Sequence, residues 1–188
     1  MGVFTALFVS CASVPRVSLC RVFPQPINDE KVAQAACDYL AERKIEFVYD
    51  DSTVGFLLAN EKDALRIKTE LIVEGVVPAA YAHSSSGFLA DSGAVTDYER
   101  EARQRCSLIE QLKNELESLD WIKNAEVVFI ADRVVGEARA DVRLTIEGTI
   151  AIGQRMRNIQ SLVAAEASFA LRAENVVVVS KNGDILSF

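Results

Sequence analysis

Residues 45–72, IEFVYDDSTVGFLLANEKDALRIKTELI, contain the patterns that decide the fold. Residues 45–49 and 54–58 are short runs of apolar and aromatic residues, and a polar Asp-Asp-Ser segment lies between them. This arrangement is typical of two strands joined by a turn. Asn60 can cap the helix that follows. That helix has one apolar stripe at helical spacing, formed by Ala64, Ile67, Leu71 and Ile72.

The residues before this stretch predict one more strand and one more helix. Residues 18–23 can form a short strand, and Pro24 and Pro26 exclude a helix directly after it. Asn28 or Asp29 can cap a helix that runs to about residue 44. Its apolar stripe consists of Val32, Ala36, Tyr39 and Leu40. With Gly75 ending the second helix, residues 18–78 form a β-α-β-β-α unit, which is enough for a two-layer domain.

The chain changes character after Pro78. Serine and glycine clusters follow at residues 84–87 and 92–93, which indicates a connector with little tendency to fold alone. We therefore predict a linker over residues 79–95. The only histidine, His83, lies in it and is interpreted as a solvated loop residue.

A second unit is predicted over residues 96–188. The sequence TDYE at residues 96–99 is a capping box, and it opens a long helix over residues 96–120. Its apolar stripe is Leu108, Leu112, Leu116 and Leu119. Strands are predicted at residues 125–130, 140–146 and 176–179, with a helix over residues 150–174 and a hairpin turn at Asn182-Gly183. The order is α-β-β-α-β.

The pattern as a whole predicts an α+β protein with two small domains in tandem, each a small sheet covered by two helices. The 188 residues carry a net charge of −7, which argues against a general nucleic-acid binder. The two units have net charges of −5 (residues 28–78) and −3 (residues 96–188). None of the common nucleotide-binding, hydrolase or zinc-protease motifs is present, and no cofactor or metal site is predicted. We predict that the protein is not an enzyme.

The N-terminal segment, residues 1–17, resembles a signal or anchor. Residues 3–9 are an apolar run that is too short to span a bilayer. Ser10 followed by Cys11 resembles a bacterial lipoprotein cleavage site, so Cys11 is a candidate for lipidation. No Lys or Arg precedes the run. The alternatives are therefore a true start further upstream, the end of a longer membrane segment, or a disordered or locally packed N-terminus.

The two helices of the second unit carry mixed charges that suit packing between subunits as well as exposure to water. The candidate interface residues are Arg100, Arg103, Glu110, Lys113 and Glu117 on the long helix, and Arg155 and Arg157 on the following helix.

Several segments resemble the flagellar M-ring protein FliF and the YscJ-type inner-ring lipoproteins of type III secretion systems. The best match is TDYER at residues 96–100 with LIEQLKNELESLDWIKNAEV at residues 108–127, because the family has a long helix that ends in an SLDxxxxAxV turn into a strand. Residues 27–30 open the first unit much as in spirochaete-like M-ring proteins. Residues 71–78 resemble the link out of the first ring-building motif, and residues 174–186 resemble the closing strand and hairpin.

The resemblance implies two tandem domains like ring-building motifs, at residues 18–78 and 96–188. A full M-ring protein has a third such region, a second transmembrane helix and a cytoplasmic tail. The chain is therefore interpreted as a short M-ring-like or inner-ring paralogue, or as a periplasmic fragment with two motifs. Cys106-Ser107 stands where the family has an Arg-rich stretch.

The resemblance further implies a structural, non-catalytic oligomer in the membrane ring of the bacterial flagellum basal body. Its expected location is the periplasm, attached to the inner membrane. Its expected partners are copies of itself or a full-length M-ring protein, and other basal-body or secretion proteins. The alternatives are an inner-ring lipoprotein of a type III secretion system, or a periplasmic ligand-sensing or regulatory α+β module.

Overall fold

The computed structural model describes residues 19–50, 55–82, 97–131, 138–147, 153–167 and 171–186. The first unit contains β1 (Leu19–Arg21), α1 (Glu30–Glu42), β2 (Phe47–Asp50), β3 (Phe56–Asn60) and α2 (Glu61–Val73). The second contains α3 (Asp97–Glu117), β4 (Ile122–Ala131), β5 (Ala138–Ile146), α4 (Gly153–Glu166) and β6 (Val176–Ser180). The predicted α+β fold class is confirmed, with both element orders as expected.

The strands form two separate three-stranded sheets. Sheet A has the order β1-β3-β2 and is antiparallel throughout. Sheet B has the order β4-β5-β6, in which β4 is antiparallel and β6 parallel to β5. Alternate residues of β3 and β5 are buried, because α2 packs against sheet A and α3 and α4 pack against sheet B. The opposite face of each sheet carries no helix among the described elements, and we call it the outer face.

The helix ends follow the caps that the sequence predicts. Of the two candidate caps for α1, the structure uses Asp29, whose carboxylate accepts hydrogen bonds from the backbone N–H groups of Lys31 and Val32. The Asn60 side chain accepts from Lys62 N–H at the start of α2. Gly75, with φ of +77°, follows the end of α2, as expected for a glycine at that position. The predicted cap at Thr96 lies outside the described residues.

Helix α4 is shorter than the helix predicted over residues 150–174. It ends at Glu166, and a 3₁₀ turn occupies Ala173–Asn175. Leu171 is nonetheless buried, so an apolar residue at helical spacing packs into the core from outside the helix. Periodicity alone could not distinguish these two arrangements, because both bury the same side chain.

The buried residues of both units belong to one hydrophobic cluster. It includes Leu40, Ile67 and Leu71 from the first unit and Leu116 and Leu162 from the second, all at most 1% exposed. The 3₁₀ turn at Ala79–Tyr81, directly after the first unit, contacts α4. The units therefore pack against each other along α2, α3 and α4. No helix within the described ranges is long and apolar enough to cross a membrane.

Candidate functional site at the contact between the units

A buried cluster of polar side chains joins the two units. Lys68 of α2 donates hydrogen bonds from Nζ to Oε1 of Glu115 in α3 at 2.7 Å and to Oε1 of Glu166 in α4 at 2.8 Å. Gln111, one turn before Glu115, donates from Nε2 to Glu115 Oε1 at 3.0 Å and to Glu166 Oε2 at 3.4 Å. One ammonium group thus connects all three helices at the contact. We call these four residues the Lys68 cluster.

The charges of the Lys68 cluster are almost fully removed from water. The exposed fractions of the side chains are 9% for Lys68, 0% for Glu115 and 6% for Glu166. Burial acts to lower the pKa of Lys68, but its two carboxylate partners outweigh burial and raise the pKa overall. Lys68 therefore keeps its positive charge at neutral pH. The stability of the cluster depends on that charge, because it compensates the negative charges of two carboxylates. Glu115 Oε2 is buried without a hydrogen-bond partner among the described residues.

A second set of polar contacts lies at the C-terminal end of α2. Arg155 of α4 forms an ion pair with Glu74 at 2.8 Å. Asn158, one turn further along α4, donates a hydrogen bond from Nδ2 to the Val73 carbonyl at 2.8 Å. This carbonyl lies in the last turn of α2, where no intrahelical N–H is available to it. The two sets of contacts hold α2 at its middle and at its C-terminal end, so they fix the direction in which it crosses the second unit.

Gly75 allows the C-terminal end of α2 to approach α4 closely in two ways. Its φ of +77° lies in a region that glycine adopts without strain. A Cβ atom on residue 75 would lie 3.0 Å from Asn158 Nδ2, which is the atom that binds the Val73 carbonyl. A side chain at residue 75 would therefore strain the backbone and also push against the contact between the units.

We expect Gly75→Ala to lower the free energy of unfolding by more than the backbone strain of about 1–2 kcal/mol. Gly183→Ala is the matched control, because Gly183 also has a positive φ of +90° but no atom of the described residues lies within 4 Å of the position of its added Cβ. Urea unfolding of both variants measures the difference. Equal destabilisation by the two substitutions would contradict a role of Gly75 in the contact between the units.

A cavity of about 390 Å³ opens beside the Lys68 cluster. Its lining is part polar and part apolar, and consists of Arg21, Val22, Pro24, Glu61, Ala64, Leu65, Lys68, Ala82, Gln111 and Glu166. The volume falls in the range of small-molecule pockets. The Lys68 ammonium and the Glu166 carboxylate at its wall already bind each other. Within the described ranges, no three His, Cys, Asp or Glu residues are grouped so that they could hold a metal ion.

The structure places the candidate interface residues in two different environments. Five of these residues have exposed side chains on α3 or α4, namely Arg100, Arg103, Glu110, Lys113 and Arg157. Glu117 is partly buried and accepts a hydrogen bond from Ala125 N–H at 3.0 Å, so it joins α3 to β4. Arg155 is engaged by Glu74 across the contact between the units. Cys11 and His83 lie outside the described residues.

The Lys68 cluster is not among the sites predicted from the sequence, although the sequence contains a signal for it. Lys68 lies four residues after Ala64 and four before Ile72, so it belongs to the apolar stripe of α2. Glu115 lies three residues after Leu112 on the stripe of α3. A charged residue on an apolar stripe predicts a buried charge. Its partner could not be identified, since Lys68 and Glu166 are separated by 98 residues.

No protein-family model and no curated protein matches the chain. Solved structures do match it. One is the crystal structure of the type III secretion system protein EscJ from enteropathogenic E. coli, with 17% identity over 85% of this chain and 94% of that chain and a TM-score of 0.38. Another is the 58–213 fragment of FliF, with 17% identity over 80% of this chain and 99% of that fragment and a TM-score of 0.39.

Proposed function

We propose that the protein is a structural, non-catalytic component of a membrane-embedded ring of the bacterial flagellum basal body, similar to the M-ring. Its two units, which we assign to residues 18–78 and 96–188 with a linker over residues 79–95, assemble by lateral contacts in the periplasm. The partners are copies of itself or a full-length M-ring protein, together with other basal-body or secretion proteins. An inner-ring lipoprotein of a type III secretion system is the related alternative.

The observation that carries this proposal is the way in which the units are held together. A ring closes only if each subunit meets its two neighbours at a constant rotation. A subunit made of two freely moving domains does not keep that rotation. Here a common core and the Lys68 cluster join the units, while the outer faces of both sheets have no covering helix among the described elements. Such a body suits repeated contact with identical copies.

Assembly can be tested on a membrane, where tethering raises the local concentration. The protein with an N-terminal histidine tag is bound to phosphatidylcholine vesicles that contain a nickel-chelating lipid. We expect arcs or rings in electron micrographs and larger species in sedimentation of chemically cross-linked samples. The same protein added to vesicles without the nickel lipid is the control. A protein that stays monomeric at every surface density, and that is absent from purified basal bodies, would exclude the proposal.

We propose attachment to the inner membrane through lipid on Cys11. In bacterial cells that express the full chain, Cys11→Ser should move most of the protein from the membrane fraction to the soluble periplasmic fraction, because the acyl chains supply most of the membrane affinity. Metabolic labelling with a fatty acid gives the direct readout. Cys106→Ser is the matched control, since Cys106 is an exposed free cysteine on α3. Equal labelling of wild type and Cys11→Ser would exclude lipidation there.

The cavity beside the Lys68 cluster favours a second candidate, a periplasmic ligand-sensing module. Both charged and apolar groups line it, so a small polar metabolite is the ligand class that it would accept. Calorimetric titration with a panel of amino acids, sugars and organic acids tests this function. Binding at micromolar concentration that Gln111→Ala weakens would favour the sensor over the ring component.

A further inference from the structure

Strand β1 lies at an edge of sheet A and has backbone groups that are free to bind another strand. Of the described strands, only β3 is its neighbour. Val22, the residue after β1, donates a hydrogen bond from its backbone N–H to the Leu57 carbonyl of β3 at 2.9 Å. Because backbone groups in an antiparallel pair point alternately toward and away from the neighbouring strand, those of Leu19 and Arg21 point away from β3. Within the described ranges, these groups have no hydrogen-bond partner.

The cavity beside the Lys68 cluster lies along this free side of β1. Arg21 and Pro24 line it from the first unit, with α2 beside them, and Gln111 and Glu166 line it from the second unit. Among the described residues, none of β3 lines it. The guanidinium group of Arg21 lies over the Phe56 ring on the outer face, 3.9 Å from the ring centre, so it is the backbone of Arg21 that faces the cavity. We call this cavity, together with the free side of β1, the β1 groove.

The free edge of β1 indicates an extended polypeptide as the ligand of the β1 groove. N–H and C=O groups alternate along a strand edge, and a second strand binds each of them in turn, as in peptide recognition by strand addition. A small metabolite can bind one or two such groups without using their regular spacing. Residues of both units line the groove, and β1 has only three residues, so there is room for a single chain and not for the edge of a complete sheet. These features favour a polypeptide segment over a metabolite.

The charges around the β1 groove favour a basic segment. Glu61, in the first turn of α2, is exposed and has no ion-pair partner within the described ranges. The ammonium group of Lys68 is already bound by two carboxylates, those of Glu115 and Glu166. The positive charge of Arg21 is stacked over Phe56, as described above. The groove therefore has an excess of negative charge, which is complementary to Lys or Arg in a bound segment.

We infer that the β1 groove binds an extended segment of a partner protein, which adds to β1 as a further strand of sheet A. An apolar side chain of the segment packs against Ala64, Leu65 and Ala82, which line the groove. A Lys or Arg beside it pairs with Glu61. The inference goes beyond the proposed function, because it concerns a partner other than a neighbour in the ring. It does not rest on ring assembly, since one copy of the chain contains the whole groove.

Binding is measured by fluorescence anisotropy with the full chain and three fluorescein-labelled synthetic peptides. The first peptide, KVTVK, has alternating apolar residues and basic ends. The second, EVTVE, has acidic ends, and the third is KVTVK with N-methyl groups at alternate residues. We expect KVTVK to bind, and the other two to bind about tenfold more weakly or less, because one loses the charge attraction and the other loses backbone donors. Equal binding of all three peptides overturns the inference.

A proline substitution tests the backbone of β1 directly. Arg21→Pro removes the N–H that points into the β1 groove, and proline is tolerated at an edge strand where the N–H faces away from the sheet. Arg21→Ala is the matched control, because it removes the same side chain and keeps the N–H. Arg21→Pro should weaken the binding of KVTVK by about tenfold, and Arg21→Ala should leave it nearly unchanged. Circular dichroism and Trp121 fluorescence confirm that both variants fold. Equal binding by two folded variants overturns the inference.

A charge substitution that leaves the strand intact gives an independent readout. Glu61→Gln should remove most of the preference for KVTVK over EVTVE, whereas Lys62→Gln, at an exposed residue of the same helical turn, should keep it. A preference that persists in Glu61→Gln overturns the inference. Binding of amino acids, sugars or organic acids without binding of any peptide also overturns it, and favours the ligand-sensing module. If no ligand binds, the inference fails, while assembly on vesicles still tests the ring component separately.

Discussion

Lys68→Met is expected to lower the free energy of unfolding by about 3–5 kcal/mol, the typical cost of removing one partner from a buried ion pair. Methionine fills a similar volume but leaves the buried carboxylates of Glu115 and Glu166 without the ammonium group of Lys68. Gln111 can donate hydrogen bonds to both but carries no charge. Domains are typically stable by only about 5–15 kcal/mol, so this single substitution removes a large share of the total. Urea unfolding followed by circular dichroism measures the loss.

Two further variants distinguish the effect of the charge of Lys68 on stability from the effect of its packing. Lys62→Met is the matched control, since Lys62 is exposed on the same helix, and a change within about 0.5 kcal/mol is expected. The triple variant Lys68→Met/Glu115→Leu/Glu166→Leu removes all three charges. It should regain wild-type stability or exceed it, because apolar replacement of a whole buried ion cluster is often neutral or stabilising. A Lys68→Met variant as stable as Lys62→Met would show that the cluster contributes little.

The pH dependence of the stability of the wild type and of Lys68→Met tests the charge of Lys68. Its pKa is raised above the ordinary value of 10.5 by Glu115 and Glu166, against the effect of burial. A group whose pKa is higher in the folded state binds its proton more tightly there, and its contribution is complete below the unfolded pKa. The stability advantage of wild type over Lys68→Met should therefore be complete at pH values just below 10.5 and decline as the pH rises through the folded pKa.

The second large effect is expected from Ile67→Ala, which should lower the free energy of unfolding by about 2–5 kcal/mol. Ile67 lies in α2 and is 0% exposed, so truncation leaves a cavity in the cluster that both units share. The only tryptophan, Trp121, lies in the second unit and reports on it. Because the core is shared, the transition seen by Trp121 fluorescence should shift as much as that seen by circular dichroism.

The control for this prediction is Leu65→Ala, two residues away on the exposed side of α2, where the change should be small. Coincident transitions by both probes are the mark of a single cooperative unit. If Ile67→Ala shifted the circular dichroism signal and left the Trp121 transition in place, the two units would unfold independently. The proposal that they act as one rigid body would then fail.

The sequence by itself determined the element order and the limits of α2, whereas the strands predicted at residues 45–49 and 54–58 begin two residues later, at Phe47 and Phe56. Apolar spacing identified α2 and β3, and Asn60 and Gly75 placed the limits of α2 within about a residue of those observed. These features are local: a helix stripe, a cap and a positive φ each depend on residues within one or two turns. The end of α4 was wrong by several residues, since Leu171 packs into the core from outside the helix.

Only the tertiary structure decided how the two units meet. Lys68 and Glu115 are 47 residues apart in sequence, and the spacing along each helix shows that a charge is buried without showing what neutralises it. The outer faces of the sheets are a second example. The alternation of polar and apolar residues along β5 is visible in the sequence. The uncovered side of β3 becomes apparent only in the folded structure, where a helix packs against the other side. Local patterns fix local structure. The pairing of distant charges and faces depends on the packing of the whole chain.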